Sequence, residues 1–83
     1  MTFLVNPPRP VEVETDQDGA PRHIRADPLT GPVEPVQCWI VDVDWWSRPV
    51  SREYWQVVLH DRLLCEIYHD LDEDRWFIER VYD

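Results

Sequence analysis

The chain has 83 residues, which is enough for one domain and too few for separate cofactor and substrate domains. Apolar residues make up 43% of it, a fraction typical of a protein with a packed core. Its 17 acidic and 8 basic side chains give a formal net charge of −9, which disfavours binding to the phosphate backbone of nucleic acids. No segment approaches the roughly 20 apolar residues of a membrane-spanning helix.

The N-terminal region lacks the pattern of an export signal. It has no basic cluster, and its apolar run is limited to Phe3–Val5. We therefore expect a cytoplasmic protein in which Cys38 and Cys65 are reduced and largely buried, with a single bridge between them as the alternative. The histidines around Cys65 lack the paired spacing of structural zinc sites, so we expect no metal and no cofactor.

Prolines and turn residues divide the first part of the chain. Residues 1–10 contain three prolines and predict an extended tail of the polyproline II type that precedes the domain. Val11–Glu14 alternates apolar and charged residues, and Asp18-Gly19 is a strong hairpin-turn signal before a return strand at Arg22–Arg25. Residues 26–35, with three prolines and a glycine, predict a loop.

The second part shows the period of two that is typical of half-buried strands. The alternation covers Val36–Trp46, is interrupted by Pro49 within residues 47–52, and resumes over Tyr54–Leu59. A tight turn at His60-Asp61 and an acidic turn at residues 70–74 then separate two further strands, Arg62–His69 and Arg75–Tyr82. In the last strand, Trp76 and Ile78 compete with Phe77 and Val81 for the core, so both faces are candidates for burial.

These elements predict an all-β domain. No stretch has a helical apolar stripe of useful length, and β-branched and aromatic residues dominate the apolar set. We expect a single small β domain over residues 11–83. Its predicted architecture is a small antiparallel meander of five to six strands, bent into an SH3-like or OB-like half-open barrel.

Several short motifs in the second part of the chain resemble a known family. In order, they are Gly31-Pro32, Asp44-Trp45-Trp46, Tyr54–Val57, Asp74–Glu79 and Tyr82-Asp83. This set is similar to the small C-terminal module of ImuB-type proteins, which are inactive relatives of Y-family polymerases, and to stand-alone bacterial proteins of unknown function that share the module. The resemblance implies a role beside an ImuB-like polymerase homologue and associated mutasome proteins in a translesion mutagenesis cassette.

The chain departs from the family pattern at two turns. Where relatives have Asp-Gly, this chain has His60-Asp61-Arg62, and the glycine before Arg-Trp is replaced by Asp74. Both turns therefore require a residue other than glycine to take a left-handed backbone conformation, which Asp tolerates better than most residues do.

The aromatic content is the strongest functional signal in the composition. Five tryptophans are more than one small core holds easily, while Trp, Tyr and Arg are enriched at binding hot spots. Trp46 and Phe77 lie out of phase with their tryptophan neighbours, so we predict that they face outward, with cover by the proline-rich segments as the alternative. The predicted partner-binding residues are Trp46, Phe77, Arg48, Arg52 and Tyr54.

The remaining polar residues do not form a known catalytic motif. The chain has two glycines, too few for a phosphate-binding loop, and no nucleophile motif. Asp70, Asp72 and Asp74 begin like a calcium loop, but Arg75 and Val81 occupy the positions that need Gly and Glu. We therefore predict a non-catalytic protein-interaction module that binds neither nucleic acid nor membrane directly. The alternatives are a self-associating structural homo-oligomer, such as a homodimer, and an acidic DNA-mimic protein.

Overall fold

The computed structural model describes residues 2–26, 29–45 and 48–82 of the chain. Among these residues, no helix is long and apolar enough to cross a membrane. The secondary structure consists of six β-strands, with the following bounds: β1 Thr2–Thr15, β2 Pro21–Arg25, β3 Gly31–Trp45, β4 Arg48–Leu59, β5 Leu63–Asp70 and β6 Arg75–Tyr82.

The strands form one antiparallel meander that closes into a barrel. Each strand pairs with the next in the chain, and β1 also pairs with β6. The predicted all-β class and meander are confirmed, and the ring is closed where the sequence predicted a half-open barrel. Closure matters because it pairs part of the sheet edges that would otherwise be exposed.

β1 closes the ring by pairing on both sides along different parts of its length. Thr2–Leu4 and Arg9–Val11 pair with β6, whereas Glu12–Thr15 pairs with β2. The proline-rich residues that the sequence predicted as a separate tail are therefore part of the sheet. Polyproline II and β conformations are both extended, and Pro7 and Pro8 fall where the β1–β6 register is irregular, so they interrupt little of the pairing.

Two other predicted boundaries also differ from the structure. β3 begins at Gly31, so the last part of the predicted loop over residues 26–35 is strand. Pro49 does not interrupt the following strand, because it is paired with Asp44 near the start of β4, before the pairing of β4 with β5 begins at Arg52. A proline at such an unpaired edge removes no ladder hydrogen bond on that side.

The interior of the barrel is mostly aliphatic. The predicted alternation is confirmed on β4 and β5, where Val57, Leu59, Cys65 and Ile67 are all buried. The complete buried cluster is Ile24, Val33, Val57, Leu59, Cys65, Ile67 and Ile78. Each of these larger side chains contributes about 1.5–3 kcal/mol by leaving water, so this cluster is the main source of stability.

A β-bulge resolves the ambiguous phase of β6. Ile67 lies opposite Ile78 and Cys65 opposite Val81, which requires one extra residue on β6 between the two pairs. Ile78 and Val81 therefore both pack on the interior cluster although their spacing is odd. Phe77 lies on the outer face, so both faces of β6 carry packed side chains.

The turns adopt the strained conformations that the missing glycines imply. His60 and Asp61 have φ values of 55° and 60°, and Asp74 has a φ of 55°. Arg62 N–H donates to the Leu59 carbonyl across the first turn at 3.3 Å, and Asp74 N–H donates to the Asp70 carbonyl across the second at 2.8 Å. The prediction of left-handed residues at both turns is confirmed.

Gly31 lies directly against the turn between β4 and β5. Its φ is +155°, and a Cβ placed on it would meet the His60 ring, with Nε2 only 2.8 Å away. His60 Nε2 in turn lies 3.0 Å from the carbonyl oxygen of Thr30 and hydrogen-bonds to it. Only glycine lets the start of β3 approach this turn so closely.

The two cysteines lie in different environments. Cys65 is buried in the core, and loss of hydration raises the pKa of its thiol to about 11. Cys38 is exposed on β3, so the prediction that both thiols are largely buried is wrong for Cys38. The physical reason is that β2 pairs only with the start of β3 and leaves this part of the strand uncovered. Both thiols are free.

Gly31→Ala is expected to lower the free energy of unfolding by about 1–3 kcal/mol, because the added methyl group meets the His60 ring. Gly19→Ala is the matched control. Gly19 also has a positive φ, +84°, but its added Cβ would meet nothing within 4 Å. The free energy of unfolding of both variants is measured by urea denaturation. Because both glycines have a positive φ, the difference between the two losses reports the steric clash at Gly31. Equal losses for the two variants would show that the Gly31–His60 contact carries no energy.

Stability is expected to fall between pH 9 and pH 11. Below pH 9 the Cys65 thiol is neutral in both states, whereas above it the unfolded chain releases the proton and the folded chain retains it. The expected loss is on the order of 2 kcal/mol across this range. Cys65→Ala should flatten the profile and Cys38→Ser should not, in urea denaturation across the pH series. A profile unchanged by Cys65→Ala would contradict the burial of this thiol.

Candidate functional site

A row of four aromatic rings crosses the outer face of the barrel. Trp39 on β3, Tyr54 on β4, Tyr68 on β5 and Phe77 on β6 lie in direct cross-strand register. The ring centroids of Trp39 and Tyr54 are 5.6 Å apart with nearly parallel planes. The next two pairs, Tyr54 with Tyr68 and Tyr68 with Phe77, are each separated by 5.2 Å. We call these four residues the aromatic row.

Strand alternation places the aromatic row outside the barrel. Val57 is buried in the interior, so Tyr54, an odd number of positions away on the same strand, points outward. Ile78 is likewise buried inside, and Phe77 beside it points outward. Trp39, Tyr54 and Phe77 are half-buried, whereas Tyr68 in the middle of the row is only 4% exposed.

Two guanidinium groups lie over the aromatic row. The Arg52 Cζ is 4.5 Å from the centre of the Tyr68 ring, and the Arg75 Cζ is 5.2 Å from that of Phe77. Arg52 Nη1 also donates to the Tyr54 hydroxyl at 3.3 Å. Its Nε is buried and has no hydrogen-bond partner among the described residues, so stacking and the one Tyr54 contact hold this side chain.

The hydroxyls in the row remain neutral at ordinary pH. Burial raises the pKa of Tyr54 and of Tyr68, and the negative charge of Glu79 raises both further. Each phenol therefore keeps its proton and remains available to donate a hydrogen bond. The row is consequently an apolar strip whose two middle rings carry neutral hydroxyls, with positive charge above it.

A polar cluster borders the aromatic row on the same outer face. Glu66 is 8% exposed and accepts a hydrogen bond from the Tyr82 hydroxyl at 2.9 Å. Arg80 lies opposite Glu66 in the β5–β6 register. A buried carboxylate requires a hydrogen-bond partner, and the Tyr82 hydroxyl provides one for Glu66. The aromatic row therefore ends where this polar cluster begins.

Trp76 and Trp55 occupy the opposite face of the wall, at one end of the barrel interior. The Trp76 ring stacks on His69 at 4.6 Å, and His69 Nε2 lies 2.7 Å from an Asp74 carboxylate oxygen. Trp55 Nε1 donates to Glu53 at 2.7 Å. These two tryptophans face the interior side of the wall and contact polar partners there, so they are not part of the aromatic row.

The structure brings together three of the five predicted partner-binding residues. Arg52, Tyr54 and Phe77 lie within the row or directly over it. Trp46 lies outside the described residues, as does the side chain of Arg48. Whether these residues bind a partner stays a prediction.

Sequence reasoning missed three members of the site, namely Trp39, Tyr68 and Arg75. Trp39 and Tyr68 lie in strands that the sequence predicts, but neither strand by itself marks these side chains as members of a site. The sequence does contain one signal for the row, because each of β3, β4, β5 and β6 has an aromatic residue at a position that faces outward. Only the strand register shows that the four align.

Among the residues described, no group of three or more His, Cys, Asp or Glu side chains is arranged to hold a metal ion. In the acidic turn, Asp70 Oδ1 accepts the backbone N–H groups of Asp72 and Glu73, so that oxygen serves the turn itself. A scan against known protein families, a search of curated proteins and a search of solved structures each find no match to this chain.

Tyr68→Ala is expected to destabilise the fold by about 2–4 kcal/mol, because Tyr54, Phe77 and Arg52 all rest on this ring. Tyr68→Phe keeps the ring and is expected to cost less than about 1 kcal/mol. Thermal and urea denaturation measure both. A small loss for Tyr68→Ala would mean that the rings are independent surface residues rather than a packed row.

Proposed function

We propose that this chain is a non-catalytic protein-interaction module whose docking surface is the aromatic row. One observation carries the proposal. The barrel fills its interior mainly with aliphatic side chains and places four aromatic rings in contact outside, on a wall whose strands all belong to the single barrel layer. Aromatic rings and arginines are the residues that contribute most to protein–protein binding.

The chemistry of the row suits a contact with another protein. Half-buried rings offer apolar area at low cost in side-chain entropy, and the guanidinium groups of Arg52 and Arg75 can donate to carboxylates or carbonyls. No described group of residues forms a nucleophile and base pair in the row. The row therefore suits recognition better than catalysis.

The net charge indicates which partners are compatible. A chain of −9 repels nucleic acid and is attracted to basic proteins, and this attraction increases the rate of encounter. Arg52 and Arg75 above the row would then contact carboxylate or carbonyl oxygens on that partner rather than its basic side chains. The arginines provide specific contacts, whereas the surrounding carboxylates provide long-range attraction.

The resemblance of several motifs to the C-terminal module of ImuB-type proteins suggests the biological setting. On that resemblance we place the chain, as a proposal, in bacterial DNA-damage tolerance in the cytoplasm. Its partners would be an ImuB-like polymerase homologue or the mutasome proteins that assemble with it. The motif Asp74–Glu79, one of the more specific ones, includes Phe77 and so overlaps the row.

The test uses purified proteins rather than a lysate. The resemblance implies two mutasome partners beside the ImuB-type protein, namely a RecA-like protein and a C-family polymerase. Binding of the chain to each of these three proteins, all from one bacterium, is measured by titration calorimetry. Phe77→Ala and Trp39→Ala should each weaken a detected interaction by at least about tenfold. Phe3→Ala is the matched control, since Phe3 is 50% exposed on β1 and lies outside the row.

Two outcomes would contradict the proposal. Failure of the wild-type chain to bind any of the three proteins would remove the mutasome assignment. Equal affinity of wild type, Phe77→Ala and Trp39→Ala for a bound partner would remove the row as the docking surface. Molar mass in solution, measured alongside, reports whether the row instead forms an interface between copies of this chain.

A further inference from the structure

One long edge of the barrel wall is unpaired. β2 pairs with β3 only at Gly31 and Pro32, while β4 pairs with β3 along almost its entire length. Val33–Trp45 therefore has β4 on one side and no described strand on the other. Two apolar side chains along this edge are strongly exposed, Val36 at 61% and Ile40 at 63%.

A second unpaired edge, on β1, is protected. Thr2–Val11 pairs with β6 on one side only, and this stretch contains Pro7, Pro8 and Pro10. Proline lacks the N–H that an added strand needs, and it is one of the devices that protect sheet edges from pairing. β3 has no proline after Pro35, so the edge from Val36 to Trp45 keeps every backbone donor.

The aromatic row ends at this same edge. Trp39 is the last ring of the row, and it belongs to β3. A strand added beside β3 would place one of its side chains next to Trp39, at the Cβ spacing of about 4.5–5.5 Å that cross-strand neighbours have. The alternate side chains of that strand would meet Cys38 and Ile40, both exposed on the other face of β3.

Charge indicates what kind of strand fits. Glu34 and Asp42 are exposed at either end of the apolar stretch of this edge, and the whole chain carries −9. A second copy paired along this edge would bring together two chains of −9 and place the Glu34 and Asp42 carboxylates of both copies along one seam, where like charges repel. A strand that alternates basic and apolar residues meets no such repulsion.

We infer that the β3 edge accepts an extended segment of a partner protein, in which basic and apolar residues alternate, as an additional strand of the barrel wall. Backbone hydrogen bonds supply the affinity, and the contacts with Trp39, Ile40 and the flanking carboxylates supply the specificity. The inference rests on the proposed function, because it names the partner chemistry at the end of the same aromatic row.

The test uses synthetic capped peptides of about ten residues, the length of the free edge. A peptide of alternating Lys and Val should bind at least about tenfold more tightly than one of alternating Glu and Val. Methylating the backbone nitrogens of alternate residues, in each of the two registers, removes donors on one side of the peptide. One of these two methylated peptides should lose at least about tenfold in affinity.

Two further measurements locate the site. Amide hydrogen exchange should show new protection within Val36–Trp45 on addition of the Lys-Val peptide. Ile40→Lys should weaken the peptide by at least about tenfold, because it places a positive charge on the edge. Leu4→Lys is the matched control, since Leu4 is 59% exposed on β1, and it should have no effect.

The outcomes separate this inference from the proposed function. Equal binding of all peptides, or protection elsewhere in the chain, overturns the added strand even if Phe77→Ala still weakens a protein partner. The added-strand inference is also overturned if the β3 edge is protected in the free protein, this protection disappears on dilution, and the molar mass is that of a dimer. A second copy of the chain would then be the occupant of the edge. If the peptide binds at β3 but Phe77→Ala does not change the affinity for a partner protein, the β3-edge inference is supported. The aromatic row is then rejected as the docking surface.

Discussion

The pairing of β1 with β6 is the contact on which the rest of the structure depends. Without it the meander would be an open sheet, and its apolar face would be in water. The closure joins the first residues described to the last strand, so it fixes the wall as one continuous surface. That continuity holds β3, β4, β5 and β6 at the twist and spacing at which one outward ring from each strand contacts the next. The outer row is therefore a consequence of closure as much as of composition.

The barrel distributes its apolar residues between two layers. Branched aliphatic side chains fill the narrow interior, whereas several large planar ones lie outside or at the barrel end. A six-stranded ring has little internal volume, which explains why so many tryptophans and tyrosines are not in the core. Tyr68 shows the result most clearly, because it is 4% exposed although it points away from the interior. Its neighbours on adjacent strands and the Arg52 guanidinium cover it, forming a second, smaller packed layer.

Local patterns predicted the strands well, and they did not predict the connections between distant strands. The alternation of Val57, Leu59, Cys65 and Ile67 is a property of each strand alone, so the sequence sufficed for their burial. The turn at His60 and Asp61 could also be foreseen from the residue types. Ring closure depends on pairing between strands far apart in sequence. The extra residue on β6 and the alignment of Tyr68 depend on the register between consecutive strands, which a bulge shifts without leaving a distinct local signal. For the same reason, Phe77 could be identified as outward-facing, while Trp39 could not be placed in the same row.

The stacking around Tyr68 has a consequence for the kinetics and thermodynamics of recognition. Flexible surface side chains lose rotamer freedom when they bind, at about 0.5–1.5 kcal/mol for each one immobilised. The rings of Tyr54, Tyr68 and Phe77 are already restrained by one another and by Arg52 in the unbound chain. Little further ordering is required when a partner arrives, so the surface is preorganised. A small interface on this barrel could then retain its partner through slow dissociation, while the acidic remainder of the molecule governs how quickly the two meet.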